Sequence, residues 1–181
     1  MMSAAASERA AKTLHVVQGE FEASNAPDVM MTTVLGSCIA VCLYDAKNRV
    51  GGMNHFLLPG GQKNDTEGVV YGVHAMELLI NSLLKLGARK GQLQAKVFGG
   101  ARMINASLDI GAQNADFAAS FLEREGINCV GQSTGGLHAR RVRFWPYDGR
   151  ARQLLLGAVE SAPVKTVAPQ KPAPSDDIEL F

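Results

Sequence analysis

The sequence predicts an α+β fold, an α/β sandwich in which largely antiparallel β-sheets are flanked by helices. Predicted strands outnumber predicted helices, the early strands follow one another at hairpin spacing, and two segments change to the 3.6-residue period of a helix. The chain has 181 residues, of which 46% are hydrophobic and 19% are charged. This is enough apolar side chain for one hydrophobic core, and we find no internal repeat.

Four β-type runs precede the first predicted helix. They are separated by short polar or glycine-rich turns, including one at Gly36–Ser37, and the last is ended by Pro59. Residues 60–70 are polar and glycine-rich, so a loop is predicted there. The four predicted strands cover residues 15–21, 29–34, 39–44 and 50–58.

Two helices are predicted from the spacing of apolar residues. The first covers residues 72–86, and Gly87 fits the position after its C-cap. The second begins at Asn114, a good N-cap residue, and ends before Gly126. Strand-like runs follow the helices at residues 93–98, 127–130, 142–145 and 153–156.

The two ends of the chain differ in composition from the middle. Residues 1–13 are alanine-rich but carry charges and lack an apolar segment, so we predict a flexible N-terminal segment and no signal peptide. Residues 161–181 contain four of the seven prolines, and we predict a disordered Pro-rich C-terminal tail. The folded domain is then residues 14–160. The alternative for the tail is a docking peptide built on Ile178, Leu180 and Phe181.

The charge balance argues against several kinds of function. With 18 Lys+Arg and 17 Asp+Glu, the formal net charge is +1, which disfavours a general nucleic-acid binder and a polybasic membrane anchor. No apolar run approaches the ~20 residues that a membrane helix needs. Nucleotide binding is unsupported because neither Gly-x-x-x-x-Gly-Lys nor Gly-x-Gly-x-x-Gly occurs.

The three cysteines favour reduced thiols in a cytoplasm. They are Cys38, Cys42 and Cys129, an odd number without the clustering of a metal site. We therefore predict no metal site. A thiol redox protein is disfavoured because no Cys-x-x-Cys motif is present. Cys42 lies deep in an apolar strand and is interpreted as a core residue.

Cys38 and His55 are the candidate nucleophile and base. If the polar break at 45–48 is a hairpin loop and Tyr44 faces Arg49, Cys38 lies opposite His55 on one sheet face. A slip of one residue would send the two side chains to opposite faces. An imidazole beside a thiol lowers the thiol pKa and supplies the nucleophilic thiolate. The alternative is an inert cysteine and a structural histidine in the core.

The residues around Cys38 can supply the other parts of such a site. The turn at Gly36–Ser37 would expose the sulfur and direct the backbone N–H groups of Ser37 and Cys38 outward, where they can hold an oxyanion. Thr32 and Thr33, on the preceding strand, are both candidates to accept a hydrogen bond from the other imidazole nitrogen.

Five motifs occur in order between residues 14 and 158. They are Leu35-Gly-Ser-Cys-Ile-Ala-Val-Cys-Leu-Tyr-Asp45, Gly52-Met-Asn-His-Phe-Leu-Leu-Pro59, Lys96-Val-Phe-Gly-Gly-Ala101, Ile110-Gly-Ala-Gln-Asn114 and Thr134-Gly-Gly136 followed by Arg140-Arg141. In this combination they resemble the CheD family, the chemoreceptor glutamine deamidases of bacterial and archaeal chemotaxis. One departure is Gln113, where family members often carry Arg.

The resemblance implies a catalytic triad of Cys38, His55 and Thr32, with Thr33 as the neighbouring candidate. In the implied reaction the thiolate attacks the side-chain amide of a receptor glutamine, ammonia leaves, and water hydrolyses the resulting thioester to glutamate. The implied reaction requires neither a cofactor nor a metal. Gly36 and Ser37 would give backbone support to the oxyanion. The candidate partner surface is formed by Phe98, Gly99, Gly100, Arg140 and Arg141, although a tight turn and a solvated strand face are the alternatives for these residues.

The resemblance also implies the partners. Methyl-accepting chemotaxis receptors would be the substrates, and a CheC-type phosphatase is a candidate second partner. We predict a cytoplasmic monomer that is not inserted in the membrane and binds no nucleic acid. The main alternative to the enzyme is a non-catalytic adaptor that binds receptors or the phosphatase through the same surface.

Overall fold

The computed structural model describes residues 12–59, 66–104, 108–158 and 178–181. These residues form ten strands, two α-helices and one short 3₁₀ helix at Lys90–Gln92. None of the described helices is long and apolar enough to cross a membrane. In chain order the elements are β1 (Lys12–His15), β2 (Phe21–Ser24), β3 (Val29–Leu35), β4 (Ile39–Asp45), β5 (Val50–Phe56), α1 (Thr66–Lys85), β6 (Gln94–Gly99), α2 (Ile110–Arg124), β7 (Asn128–Thr134), β8 (His138–Trp145), β9 (Arg150–Ala158) and β10 (Ile178–Leu180).

The described strands form two five-stranded sheets. Sheet A has the order β1-β3-β8-β9-β10 and sheet B the order β2-β5-β4-β6-β7. The β1–β3 and β6–β7 pairs are parallel, and the other pairs are antiparallel. Both helices pack against sheet B, α1 on β5 and β2, and α2 on β7, β4 and β6. The prediction of an α+β sandwich with largely antiparallel sheets is confirmed.

The strand β4 is buried along its whole length because it lies between two hydrophobic layers. Alternate residues such as Ile39 and Val41 pack toward the helices, whereas Ala40 and Cys42 pack into the layer between the sheets. A strand buried on both faces has a nearly continuous apolar sequence. Cys42 is fully buried, which confirms its interpretation as a core residue.

The predicted first strand at 15–21 is wrong. The chain turns between β1 and β2, where Gly19 has a φ of +88° and its N–H donates to the carbonyl oxygen of His55 at 2.7 Å. The turn separates β1, which belongs to sheet A, from β2, which belongs to sheet B. Glycine permits this backbone conformation, which other residues rarely adopt.

Both helices begin earlier than the sequence predicts. Helix α1 already begins at Thr66, so the predicted loop is wrong for residues 66–70, and residues 60–65 lie outside the described ranges. Helix α2 begins at Ile110 because Asp109 caps it, accepting from the N–H of Ala112 at 3.0 Å. Asn114, the predicted N-cap, lies inside the helix and is buried.

The last residues of the predicted tail are ordered on the domain. Strand β10 pairs antiparallel with β9, and the Phe181 ring packs edge-on against Phe98, with the ring centroids 5.4 Å apart. The prediction of disorder is therefore wrong for residues 178–181, and the Phe181 contact agrees with the docking alternative. Residues 159–177 and 1–11, to which the other tail predictions refer, lie outside the described residues.

Candidate active site

The hairpin β4–β5 brings Cys38 and His55 to one face of sheet B. Tyr44 pairs with Gly51 rather than with Arg49, so His55 faces Ala40 and not Cys38. The predicted register is thus wrong by two residues. Because a shift of two preserves the face, Cys38 still packs against the layer between the sheets that contains Ala40. It lies diagonal to His55 instead of directly opposite.

Cys38 is half-buried in the short loop between β3 and β4. The loop is fixed by three hydrogen bonds from distant parts of the chain. The N–H of Gly100 donates to the Cys38 carbonyl oxygen at 2.7 Å, and the N–H of Ala101 donates to the Gly36 carbonyl oxygen at 2.9 Å. The side chain of Asn114 donates to the Ser37 carbonyl oxygen at 2.8 Å. The backbone of this loop is therefore held by the residues that follow β6 and by α2.

The residues Phe98, Gly99 and Gly100 support this loop and do not form a surface. All three are buried. Gly99 and Gly100 have φ values of +113° and +64°, and a Cβ on Gly99 would clash with the Cys38 carbonyl oxygen. The prediction that these residues belong to a partner surface is wrong, because the backbone must approach the nucleophile loop too closely to leave them exposed.

The two predicted surface arginines have different environments. Arg140 is 3% exposed and donates to the carbonyl oxygens of Ser133 and Gly135, so its assignment to a partner surface is wrong. Arg141 points to the opposite side of β8 and is exposed. Alternation along the strand explains the difference, since neighbouring side chains point to opposite faces of a sheet.

The imidazole of His55 is held through its Nδ1 atom. Nδ1 lies 2.8 Å from Thr33 Oγ1 and 3.3 Å from the carbonyl oxygen of Val16. The single hydroxyl proton of Thr33 is donated to that carbonyl at 2.7 Å, so Thr33 accepts from His55. This network assigns the proton of the neutral ring to Nδ1. Nε2 then carries the lone pair, and it is buried without a hydrogen-bond partner in the described structure.

Thr33, and not Thr32, orients the histidine. The Thr32 hydroxyl donates to the carbonyl oxygen of Val142 at 2.9 Å. The prediction of Thr32 for this role is therefore wrong, and the neighbouring candidate occupies the position. The reason is again alternation, because Thr33 faces the layer between the sheets and Thr32 faces the other side of sheet A.

The environment keeps both candidate catalytic groups neutral. Burial raises the pKa of the Cys38 thiol, an effect that its own backbone N–H partly offsets. Burial lowers the pKa of His55, and the hydrogen bond with Val16 opposes that shift. The expectation of a lowered thiol pKa is not met in this structure, since desolvation is the largest influence on the Cys38 thiol. The resting pair is a thiol and a neutral imidazole.

Gln18 was missed by the sequence analysis. Its Oε1 atom accepts a hydrogen bond from the Cys38 sulfur at 3.4 Å. The next residue, Gly19, bonds the backbone of His55, so this turn contacts both halves of the pair. No sequence pattern marks Gln18, because the segment resembles a continuous strand until the turn at Gly19 is known.

A cleft of about 610 Å³ opens beside the histidine. Thr33, His55 and Gln18 line this cleft, whereas Cys38, which donates to Gln18, does not. Arg141 and Arg143 also line it. In the described residues, no group of three or more His, Cys, Asp or Glu side chains is arranged to hold a metal ion. The arrangement places a thiol and a base on one sheet face, with a cleft beside the base, and a thiol with a base is the minimal equipment for acyl-transfer chemistry.

Comparison with known proteins identifies the family. A family model described as CheD chemotactic sensory transduction matches residues 57–153. A protein of Agrobacterium fabrum (strain C58 / ATCC 33970) is 53% identical over 181 residues, which cover 96% of this chain and 99% of that protein. A protein of Caulobacter sp. (strain K31) is 55% identical over 174 residues, which cover 93% of this chain and 92% of that protein. Both are named "Probable chemoreceptor glutamine deamidase CheD".

The family model covers more than half of the chain, and the relatives match nearly its full length. The chain therefore belongs to the CheD family.

Proposed function

We propose that this protein is a protein-glutamine deamidase that converts glutamine side chains of chemoreceptors to glutamate and releases ammonia. The observation that carries the proposal is the His55 network, in which Nδ1 is tied to Thr33 while Nε2 remains buried without a partner in the described structure. An imidazole nitrogen that carries a lone pair and has no hydrogen-bond donor can accept a proton as a general base. The names of the relatives support the same activity.

The first step is proton transfer from Cys38 to Nε2 of His55 as the sulfur attacks the carboxamide carbon. The new S–C bond creates a tetrahedral oxyanion. His55 then returns the proton to the amide nitrogen, the C–N bond breaks, and ammonia leaves. The acyl group remains on the sulfur as a thioester. The raised thiol pKa and the lowered imidazole pKa disfavour a free thiolate–imidazolium pair, so the proton moves to Nε2 only as the S–C bond forms.

The second step hydrolyses the thioester. His55, again neutral, takes a proton from water as the water oxygen attacks the thioester carbon, and it then gives the proton back to the departing sulfur. Thr33 keeps the ring in the tautomer that both steps require. The products are glutamate and the regenerated thiol.

The oxyanion is held by the backbone at the nucleophile loop. The N–H groups of Ser37 and Cys38 donate to no other residue within the described ranges. The hydrogen bonds from Gly100 and Ala101 fix the loop before substrate arrives, so little reorganisation is needed in the transition state. Gly36 contributes by anchoring the loop through its carbonyl oxygen.

We further propose that the enzyme works as a cytoplasmic monomer and that a CheC-type phosphatase is a second partner. A non-catalytic adaptor is the rival function. It needs neither the tautomer of His55 nor access to the sulfur, so the two functions differ in what they require of Cys38 and Thr33.

The deciding experiment incubates a chemoreceptor cytoplasmic fragment with the protein and measures ammonia and the intact mass of the fragment. Wild-type protein should release ammonia and add the mass of an NH₂-to-OH exchange at each modified glutamine. Cys38→Ala should do neither, while Cys129→Ala, which removes an exposed thiol, should match wild type. If wild type converts no glutamine in several receptor fragments but still binds them, the adaptor is the correct function.

A further inference from the structure

The outer face of sheet A carries a concentration of positive charge next to the active-site cleft. Of the five strands of sheet A, only β10 contains an acidic residue, Glu179, although the whole chain has nearly equal numbers of acidic and basic residues. Arg141, Arg143 and Arg152 share one cavity of about 160 Å³ on this face. We call these three residues the arginine patch.

The arrangement of the patch is unfavourable for a bare surface. Arg143 on β8 pairs directly with Arg152 on β9, and Arg141 lies two positions along β8 from Arg143. Like charges directly opposed on neighbouring strands are destabilising. No ion pair with a carboxylate neutralises Arg141 or Arg143 in the described part of the chain, and both side chains are exposed. An acidic ligand would relieve this repulsion.

The patch is continuous with the catalytic cleft. Arg141 and Arg143 line both the patch cavity and the cleft that His55 also lines. The strand register places Arg143 beside Thr32 and Arg141 beside Val34, and both of these β3 residues line the same cleft. A protein segment lying across the arginines therefore enters the cleft that His55 lines.

We propose that the arginine patch binds acidic side chains on the protein segment that carries the target glutamine. The inference rests on the proposed deamidase function and adds the substrate class: a glutamine flanked by Asp or Glu. Each guanidinium offers the planar donor fork that matches a carboxylate. Val34, half-exposed between the patch and the cleft, adds an apolar contact for the body of the same segment.

Binding tests the patch without requiring catalysis. Full-length Cys38→Ala protein is titrated into a fluorescein-labelled, glutamine-containing helical peptide with acidic flanks, and anisotropy gives Kd. In this background, R141Q/R143Q should weaken binding by about tenfold, because each exposed ion pair contributes up to about fivefold. R89Q/R124Q removes the same charge from exposed arginines elsewhere and should leave Kd unchanged. Equal thermal midpoints would show that both double variants fold.

Salt and competitor experiments complete the test. The wild-type patch should lose affinity as salt rises to about 0.3 M, because exposed charges are screened, and R141Q/R143Q should lose much less. A peptide with the acidic flanks changed to neutral residues should bind like the double variant. The proposal is overturned if the two double variants bind equally, if the neutral peptide binds as tightly, or if a single-stranded oligonucleotide competes better than the acidic peptide. If wild type does not deamidate glutamine but the patch still binds the acidic peptide, the proposed deamidase function is refuted and the proposed binding role of the patch is retained.

Discussion

The hydroxyl of Thr33 lies 2.8 Å from Nδ1 of His55 and donates its own proton to the backbone of Val16. This relay fixes the tautomer of the ring from the side opposite Nε2. A buried imidazole without it could rotate or carry its proton on the wrong nitrogen. In the proposed mechanism, activity therefore depends on a threonine whose hydrogen bonds go to His55 and Val16 and not to the sulfur.

Replacing the two neighbouring threonines should give different results. Thr33→Val removes the acceptor of the Nδ1 proton, and we expect kcat to fall about 10–100-fold, part of the ~10²–10⁴-fold that general acid–base catalysis contributes. Thr32→Val removes a hydrogen bond to Val142 and should cost about 1 kcal/mol of stability with little change in kcat. Thr33→Ser should retain activity. Steady-state ammonia release tests all three, and a larger loss of kcat in Thr32→Val would refute the assignment.

The pH dependence should be that of a neutral pair. Because burial raises the pKa of Cys38, alkylation of this thiol by iodoacetamide should be slow near neutral pH and rise only above the usual thiol range of about 8.5. Because burial lowers the pKa of His55, kcat/KM should hold down to pH values below the usual imidazole pKa of about 6.5. Peptide mass spectrometry gives the alkylation rate of each cysteine. A fast, pH-independent rate at Cys38 from pH 6 upward would instead indicate a thiolate–imidazolium pair.

Substitution at Gly99 should damage both stability and catalysis. The φ of +113° is unfavourable for alanine, and the added Cβ would push the Cys38 carbonyl away, so we expect Gly99→Ala to lose about 2–4 kcal/mol of unfolding free energy and most of the activity. Gly126→Ala is the matched control. Its φ is +67° with no atom within 4 Å of the new methyl, so it should lose only about 1 kcal/mol and keep full kcat. Urea unfolding and ammonia release separate these outcomes, and equal effects of the two variants would contradict the role of Gly99.

The docked end of the chain should contribute to stability. Lys96 is buried and donates from Nζ to the carbonyl oxygens of Gly149 at 2.7 Å and Phe181 at 2.6 Å, beside the Phe181–Phe98 ring contact. We expect Phe181→Ala to lower the unfolding free energy by about 1–2 kcal/mol. Leu180→Ala, which changes a side chain that is 68% exposed, should stay within about 0.5 kcal/mol of wild type. Similar midpoints for both variants would show that the contact does not form in solution.

The sequence was sufficient to place Cys38 and His55, the proposed catalytic pair, on one face because the face of a strand depends only on the parity of its register. The hairpin loop was placed one residue too early, since Asp45 continues β4 and accepts from the N–H groups of Asn48 and Arg89. The shift moved the pairing by two residues and left Cys38 and His55 on one side. The pattern therefore placed Cys38 and His55 on one face from a wrong pairing, and their catalytic role stays a prediction.

The remaining features depend on contacts between distant parts of the chain. Thr32 and Thr33 are equivalent in sequence until β3 pairs with β8 and the layer between the sheets is known. The same applies to Arg140 and Arg141. Glycine is needed at Gly99 because the Cys38 loop, about 60 residues earlier in the chain, packs against it. The local sequence therefore predicts a turn but not its contact with that loop.

The most direct test of the account is to trap the acyl-enzyme. Wild-type protein and a receptor fragment are mixed, quenched in acid within one turnover, digested, and analysed by mass spectrometry. We predict a thioester on the peptide that contains Cys38, with the mass of the substrate peptide minus ammonia, absent in Cys38→Ser and reduced in Thr33→Val. Ammonia release with no adduct on Cys38, or an undiminished rate in Cys38→Ser, would contradict the assignment of this thiol as the nucleophile.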